Sequence, residues 1–256
     1  MDRNNNIDAL SQLALRHGTD KWGSHFYTQH YNKFFEQIRD EKLKILEIGV
    51  GGYKHLNLGA QSLRMWKDYF INSEIYALDI EDKTHFCEDR ITILKGDQTD
   101  EKFLRSLNEN HGPFDIIIDD GSHMNNHIIK TFKVLFPLLN QNGIYAVEDL
   151  QTSYWKAFGG NSFNFRNSNT AMNFFKSATD SLNYQEFDNP HYNSNYLDKN
   201  VRSISFFHNL VIINKGKNNE GSNIVSNNRI SKDTLKSKIK YSIINLLYRL
   251  IGTRNF

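Results

Sequence analysis

Five short apolar runs recur between residues 44 and 151, and segments compatible with helices separate them. The runs are KILEIGVGG (44–52), EIYALDI (74–80), RITILKGDQ (90–98), FDIIIDDGSH (114–123) and GIYAVEDLQ (143–151). Apolar strands that alternate with helices form parallel sheets whose two faces are covered by those helices. The alternation therefore predicts an α/β domain built on a doubly wound parallel sheet.

Two later apolar runs, VRSISFF (201–207) and LVIINKG (210–216), are separated only by His208 and Asn209. A connection of two residues predicts a tight antiparallel hairpin. Five parallel strands followed by such a hairpin resemble the seven-stranded sheet of the class I methyltransferase fold. Apolar residues at helical spacing over residues 4–16 add an N-terminal helical extension to this prediction.

Composition excludes several classes of protein. The formal net charge of +2 gives no reason to expect a nucleic-acid partner. The single cysteine, Cys87, excludes an intrachain disulfide and a cysteine-based zinc site, and it fits a cytoplasmic location. The N-terminus lacks the apolar core of a signal peptide, and no run approaches the roughly 18 apolar residues of a membrane span.

The first apolar run ends in the pattern E-x-G-x-G, formed by Glu47, Gly49 and Gly51. Lys54 stands where a dinucleotide-binding fingerprint has its third glycine, which disfavours a pyrophosphate ligand. Glycines let the backbone approach a ligand closely, and an acid here suits a ligand with a cationic amino-acid end. The pattern favours S-adenosylmethionine.

The next strand ends carry acids that fit the rest of this cofactor. Asp79 is expected to hold the ribose hydroxyls, and Asp97 and Gln98 are expected to reach the adenine. Asp119 is assigned to the same cofactor site. A single Asp at a strand end also fits a helix N-cap, but three successive strand ends of this kind favour a ligand site. Hydride transfer by a Y-x-x-x-K pair is excluded because no tyrosine has lysine four residues later.

Asp120 and the pair Glu148 and Asp149 end two consecutive apolar runs, 28 residues apart. That spacing fits one strand–helix–strand crossover. The acids are therefore expected to meet at the sheet edge that carries the glycine loop, which begins at Gly49. Carboxylates this close repel one another unless a cation joins them. Oxygen ligands without cysteine favour Mg²⁺ or Mn²⁺ over zinc, with Ca²⁺ left open.

His123 lies three residues after Asp120 and is predicted to act as a general base. The alternative is that His123 only caps or packs on the following helix. His127 completes H-x-x-x-H without the glutamate of the H-E-x-x-H zinc motif, so we expect an exposed helix residue there.

The motifs EIGVGG, FDIIIDDGSH, VEDLQTSYW and HGTDKWGSHFYTQHY resemble those of the metal-dependent sugar O-methyltransferases, such as the macrocin and mycinamicin enzymes. The resemblance covers roughly residues 17–215. It implies that Asp120, Glu148 and Asp149 bind Mg²⁺ and that His123 is the catalytic base.

The resemblance also implies that the early stretch with Asp20, Lys21, His25 and Tyr27 closes over the cofactor or the substrate. The long N-terminal auxiliary region of the macrolide enzymes is not matched, and other relatives belong to bacterial surface-polysaccharide pathways. By this analogy we expect a nucleotide-linked sugar, such as a GDP-heptose of capsule synthesis, as the acceptor.

The 152–200 insertion is expected to form a lid over the substrate. It offers side chains that stack on sugars or meet a phosphate, and most of them also fit simple packing of a loop. The candidates are Tyr154, Trp155, Phe158, Phe163, Arg166, His191 and Tyr192.

Three sequence regions follow from these patterns. Residues 1–40 are predicted to form the N-terminal extension, 41–216 the methyltransferase domain, and 217–256 a linker and a basic amphipathic helix. That helix fits a membrane surface as well as a protein partner, and we favour docking on its own domain or on a neighbouring subunit of a homo-oligomer. Its apolar face comprises Leu235, Ile239, Ile243, Leu246, Leu247 and Leu250.

Together the patterns and the resemblance predict metal-dependent methyl transfer from S-adenosylmethionine to a sugar hydroxyl. One alternative is an O-methyltransferase for catechol-like or natural-product acceptors, which also use a metal and neighbouring hydroxyls. The other is a non-catalytic scaffold that binds S-adenosylmethionine. The complete acid–histidine set argues against the scaffold, because a scaffold needs no base.

Overall fold

The computed structural model describes residues 7–187, 189, 191–222, 239, 243 and 246. The predicted C-terminal amphipathic helix lies outside the described residues, apart from Ile239, Ile243 and Leu246. These three residues are helical, and each is more than half exposed. Within the described part of the chain, no helix is both long and apolar enough to span a bilayer.

The described strands form one seven-stranded sheet in the order β3-β2-β1-β4-β5-β7-β6. The strands are β1 (Lys44–Ile48), β2 (Glu74–Asp79), β3 (Ile91–Lys95), β4 (Ile116–Asp119), β5 (Ile144–Val147), β6 (Val201–Phe207) and β7 (Leu210–Lys215). Strands β1 to β5 are parallel, and β7 is antiparallel to both of its neighbours. The predicted doubly wound sheet with a C-terminal hairpin is confirmed.

Helices cover both faces of the sheet, which explains why its central strands are continuous apolar runs. The helices are α1 (Ala9–His17), α2 (Thr28–Phe35), α3 (Gln61–Tyr69), α4 (Glu101–His111), α5 (Asn125–Leu138), α6 (Ala171–Ser177) and α7 (Tyr196–Asn200). On one face, Leu10, Tyr31 and Trp66 from α1, α2 and α3 belong to one buried cluster with β1. On the other face, α4, α5 and α6 build a second cluster that includes Phe132. The N-terminal helices therefore share the core of the sheet.

The 152–200 insertion folds as short helical turns around α6 and α7. Its first part is held by Asn125, a buried residue at the start of α5. The Asn125 amide donates to the carbonyl oxygens of Thr152 (3.1 Å) and Phe158 (2.8 Å). Its Oδ1 accepts hydrogen bonds from Ser153 Oγ (2.9 Å) and from the backbone N–H of Ala171 (2.7 Å). One side chain thus anchors the insertion to the sheet domain.

Candidate cofactor and metal site

The candidate site lies at the carboxyl edge of the sheet, where the strand order reverses between β1 and β4. The loops that follow these two strands touch at Gly49, which has a φ of 95°. A Cβ atom at this position would overlap the carbonyl oxygen of Asp120. Glycine at position 49 therefore brings the glycine loop and the acidic strand end into direct contact.

Asp79, at the end of β2, closes the glycine loop from the other side. Its Oδ2 accepts a hydrogen bond from the backbone N–H of Val50, and its Oδ1 accepts one from Glu81, both at 2.9 Å. Each carboxylate oxygen keeps a second lone pair. The predicted role of Asp79 in holding ribose hydroxyls is compatible with this geometry and stays a prediction.

Gln98 joins the ends of β3 and β4 and is almost completely buried. Its amide donates to Asp119 Oδ1 at 3.2 Å, and its Oε1 accepts from the backbone N–H of Ser122 at 2.7 Å. Burial raises the pKa of Asp119 to about 7. Asp97 instead faces solvent, where its carboxylate accepts from the Thr99 backbone at 2.7 Å. Of the two residues expected to reach the adenine, Gln98 is interior and Asp97 is at the surface, and Asp119, assigned to the same cofactor site, is interior.

A buried lysine meets the acids that end β1, β4 and β5. Lys21 Nζ lies 2.7 Å from Asp120 Oδ2, 2.7 Å from Glu148 Oε2 and 3.2 Å from Glu47 Oε1, and only 1% of its side chain is exposed. Burial would lower the pKa of Lys21, but the three carboxylates outweigh burial and raise this pKa well above its usual value. The protein's own ammonium group therefore supplies part of the positive charge that the sequence argument attributed to a metal.

Glu47 and Glu148 use both of their carboxylate oxygens to hold the N-terminal residues and α3. Trp66 Nε1 donates to Glu47 Oε2 at 2.8 Å, and Tyr31 Oη donates to Glu148 Oε1 at 2.7 Å. Burial raises the pKa of both carboxyl groups. The sequence did not predict these contacts, in which the oxygens of Glu148 face Lys21 and Tyr31. A role of Glu148 as a metal ligand stays a prediction and requires that it share one oxygen with Lys21 or with Tyr31.

Asp149 faces the other way, toward the early aromatic residues and His123. Tyr27 Oη donates to Asp149 Oδ1 at 2.8 Å, and His25 Nε2 lies 3.8 Å from the same oxygen. His123 Nε2 lies 3.7 Å from Asp149 Oδ2. Burial opposes the effect, but the Tyr27 hydrogen bond and the two histidines keep the pKa of Asp149 below its usual value. His25 and Tyr27 thus lie beside a predicted metal ligand.

Asp120, His123 and Asp149 form a half-buried cluster. One potential ligand atom from each residue lies within 4.8 Å of the others, a spacing that no other acidic, histidine or cysteine triple in the described residues shows. His123 (φ 56°) and Asp149 (φ 53°) both occupy the left-handed region, which is costly for residues other than glycine. Strained backbone of this kind is often retained where it orients functional side chains.

Two further contacts near the site were not predicted from the sequence. His127, which we expected to be exposed, is half-buried, and its Nδ1 lies 2.9 Å from Ser122 Oγ because the turn before α5 carries Ser122 over the helix. Tyr31 binds Glu148 from the interior of the protein. Its spacing of four residues from Tyr27 was a usable signal, because it brings both hydroxyl groups to one side of the helix.

The predicted substrate residues of the insertion lie in two groups. Tyr154 and Trp155 follow Asp149 through the short turn Leu150–Tyr154 and are 38% and 50% exposed, so they are available to a ligand. Arg166 and His191 are exposed. Within the described part of the chain, neither forms a hydrogen bond or ion pair with the Asp120–His123–Asp149 cluster. Roles in substrate binding stay predictions for all four residues.

Known sugar O-methyltransferases are similar to this chain over most of its length. It is 47% identical over 214 residues to demethylmacrocin O-methyltransferase of Streptomyces fradiae and 44% identical over 214 residues to mycinamicin VI 2''-O-methyltransferase of Micromonospora griseorubida. Each alignment covers 83% of this chain and 54% of the relative. The structure of the MycE methyltransferase from the mycinamycin pathway, in complex with Mg and SAH, aligns with a TM-score of 0.83 and 40% identity.

The chain belongs to the family of these sugar O-methyltransferases. The resemblance inferred from the motifs is thereby confirmed. The MycE alignment covers 93% of this chain and 61% of that chain, so the sheet and most of its loops share the MycE fold. The chain spans about half the length of the curated relatives, at 54% of each. No protein-family model matches it.

Proposed function

We propose that this protein is an S-adenosylmethionine- and divalent-metal-dependent O-methyltransferase that methylates a sugar hydroxyl. One observation carries the proposal: the Asp120–His123–Asp149 cluster directly adjoins the glycine loop through the contact at Gly49. A methyl donor in the loop and an acceptor at the cluster would therefore be neighbours. The similarity to MycE, whose complex contains Mg and SAH, supports both ligands.

The residues at the sheet edge fit a divalent cation. The carboxylates of Glu47, Asp120 and Glu148 surround the ammonium group of Lys21, and the Asp149 carboxylate lies on the other side of Asp120, in the cluster with His123. Four carboxyl groups thus meet one ammonium group, and the pair Asp120 and Asp149 is open to a further cation. Asp120 and Asp149 would hold the ion, with Glu148 as the third carboxylate expected from the sequence. When bound, the ion would lower the pKa of a sugar hydroxyl and fix its orientation.

His123 is the group best placed to take the proton of the sugar hydroxyl. Mg²⁺ prefers oxygen ligands, so the imidazole stays available as a base at Nε2. Asp149 Oδ2, 3.7 Å from that nitrogen, would stabilise the imidazolium that forms. Oriented in this way, His123 accepts the proton while the hydroxyl oxygen attacks the methyl group.

The methyl donor would lie along the carboxyl ends of β1 to β4. The glycine loop would contact its amino-acid end, Asp79 its ribose, and the interior pair Gln98 and Asp119 its adenine. Gln98 is held by Asp119, Ser122 and Thr131, so this end of the site is already ordered. An ordered site loses less conformational entropy when the cofactor binds.

For the acceptor we propose a sugar carried by a small molecule. The names of the relatives include a mycinamicin and a rhamnosyl tetracenomycin, and this chain is 43% identical over 216 residues to the tetracenomycin enzyme of Streptomyces olivaceus. The half-exposed rings of Tyr154 and Trp155 suit stacking on a sugar. The nucleotide-linked sugar of capsule synthesis finds no support among these relatives. The cytoplasmic location and the homo-oligomer stay predictions.

The direct test is release of S-adenosylhomocysteine from S-adenosylmethionine in the presence of an acceptor panel with Mg²⁺. The panel should contain mycinamicin VI, demethylmacrocin, rhamnosyl tetracenomycin C, nucleotide sugars and a catechol. We expect release with at least one glycoside and none with the catechol. Release with the catechol alone would replace the sugar proposal by the catechol alternative. Cofactor binding without turnover on any acceptor would favour the scaffold.

A further inference from the structure

Lys83 is a second buried lysine. It contacts the loop of residues 50–60, which contains Gly51 and Gly52, and not the Asp120–His123–Asp149 cluster. We propose that Lys83 is a positioning residue that holds the loop of residues 50–60 in the shape that binds S-adenosylmethionine. This inference rests on the proposed cofactor role of the loop. It adds a residue that neither the E-x-G-x-G pattern nor the strand-end acids identify.

The contacts of Lys83 are unusual for a lysine. Its side chain is fully buried, and Nζ donates to the carbonyl oxygens of His55 (2.7 Å) and Leu58 (2.8 Å). Among the described residues it forms no ion pair with a carboxylate. A buried ammonium group without a carboxylate partner is costly, so the hydrogen bonds to the two backbone carbonyl oxygens must offset that cost.

The loop itself is poorly suited to keep its shape. Positive φ angles occur at Gly51 (81°), Gly52 (75°), Tyr53 (47°), Gly59 (134°) and Ala60 (67°). Tyr53 and Ala60 adopt this region at a cost because they carry a Cβ atom. Apolar packing offsets little of that cost at the tip, where Tyr53, Leu56 and Leu58 are 85%, 49% and 54% exposed. The loop therefore needs an external brace.

The short segment that ends β2 and follows it contacts the loop at two places, its start and its tip. Asp79 accepts from the Val50 backbone at the start, while Lys83, four residues later, binds the carbonyl oxygens of His55 and Leu58 at the tip. The loop base is closed by the hydrogen bond from Ala60 N to Val50 O at 2.7 Å. Without Lys83 the tip would keep only its own backbone hydrogen bonds, from His55 N to Gly52 O (2.9 Å) and from Leu58 N to His55 O (3.0 Å), and would lose its link to the segment after β2.

The experiment compares Lys83→Met and Lys83→Gln with Lys215→Met. Lys215 is a matched control, because it is also buried and also donates to two backbone carbonyl oxygens, those of Pro137 and Leu139, away from the loop. Two quantities are measured: the dissociation constant of S-adenosylhomocysteine by calorimetry, and hydrogen exchange of peptides from residues 50–60 without ligand. Steady-state kinetics then separate KM from kcat.

We expect Lys83→Met to weaken S-adenosylhomocysteine binding by about tenfold or more, because an unheld loop must be ordered on binding. KM for S-adenosylmethionine should rise by a similar factor with little change in kcat, and exchange in the loop should accelerate. Lys83→Gln keeps one donor group and should lie between Lys83→Met and the wild type. Lys215→Met should leave both the affinity and the loop exchange unchanged.

Wild-type affinity and wild-type loop exchange in Lys83→Met would overturn the proposal. If Lys83→Met does not fold, Lys83→Gln decides in the same way. A uniform loss in Lys83→Met and Lys215→Met alike would show general destabilisation and would also overturn it. Failure of the wild type to bind S-adenosylhomocysteine would instead refute the proposed function, while loop exchange would still test the brace.

Discussion

At the residue scale, Lys21 contacts three acidic residues of the site, and no sequence pattern predicted these contacts. Its ammonium group neutralises charge from Asp120, Glu148 and Glu47, which end three neighbouring strands. Removal of one partner from a buried ion pair leaves an uncompensated charge and costs about 3–5 kcal/mol. We therefore expect Lys21→Met to lower the free energy of unfolding by about that amount, as measured by urea denaturation at pH 7.

Lys21→Arg is the matched control because it keeps the positive charge. It should recover part of the lost stability, limited by the larger guanidinium group in a fully enclosed place. If Lys21→Met were as stable as the wild type, the ion pairs would contribute little, and Lys21 would not be the internal counterion of the acidic strand ends.

For His123 we predict an effect on the rate of turnover, with little effect on ligand binding. His123→Ala should slow turnover by about 10²–10⁴-fold, the usual contribution of a general base. The dissociation constants of S-adenosylhomocysteine and Mg²⁺ should stay close to those of the wild type. A large loss of Mg²⁺ affinity, measured by calorimetry, would make His123 a metal ligand and would leave the base unassigned.

At the scale of secondary-structure elements, the end of α5 rests on Lys215 of β7. Burial lowers the pKa of Lys215 from its usual 10.5 to about 8. The unfolded chain then binds this proton more strongly than the folded protein between these two values. The free energy of unfolding of the wild type, relative to Lys215→Met, should therefore rise between pH 8 and 10.5, by at most about 3 kcal/mol.

Urea unfolding of both proteins across this pH range isolates the lysine, because the other titrating groups are common to the two. A difference that does not change with pH would show that the proton affinity of Lys215 is the same in the folded and unfolded states. The hydrogen bonds to Pro137 and Leu139 would then compensate for the lost hydration of this ammonium group.

The elements were largely predictable because their signal is local. Runs such as FDIIIDDGSH predict both a buried strand and the polar residues at its end. The two-residue connection formed by His208 and Asn209 predicts the hairpin. The anchoring of the insertion was not predictable. Asn125 binds residues 27 to 46 positions away, and no periodicity marks a buried asparagine that satisfies four partners.

At the scale of the whole molecule, the sequence placed the acids at one sheet edge but not the lysine among them. Lys21 lies 99 residues from Asp120 and 127 from Glu148, so their contact depends on how the N-terminal helices pack on the sheet. Repulsion between the acids was a sound argument for a cation. It attributed the cation to a metal, and the structure shows that the Lys21 side chain supplies part of the positive charge.

The remaining negative charge at the sheet edge leads us to expect that methyl transfer depends on a divalent metal. The most direct measurement is S-adenosylhomocysteine release on an active glycoside after EDTA treatment, before and after Mg²⁺ is restored, in the wild type and in Asp149→Asn. We expect no release in EDTA, full recovery of the wild type with Mg²⁺, and little recovery of Asp149→Asn at the same concentration. A full rate from EDTA-treated protein shown by elemental analysis to contain no metal would contradict this expectation.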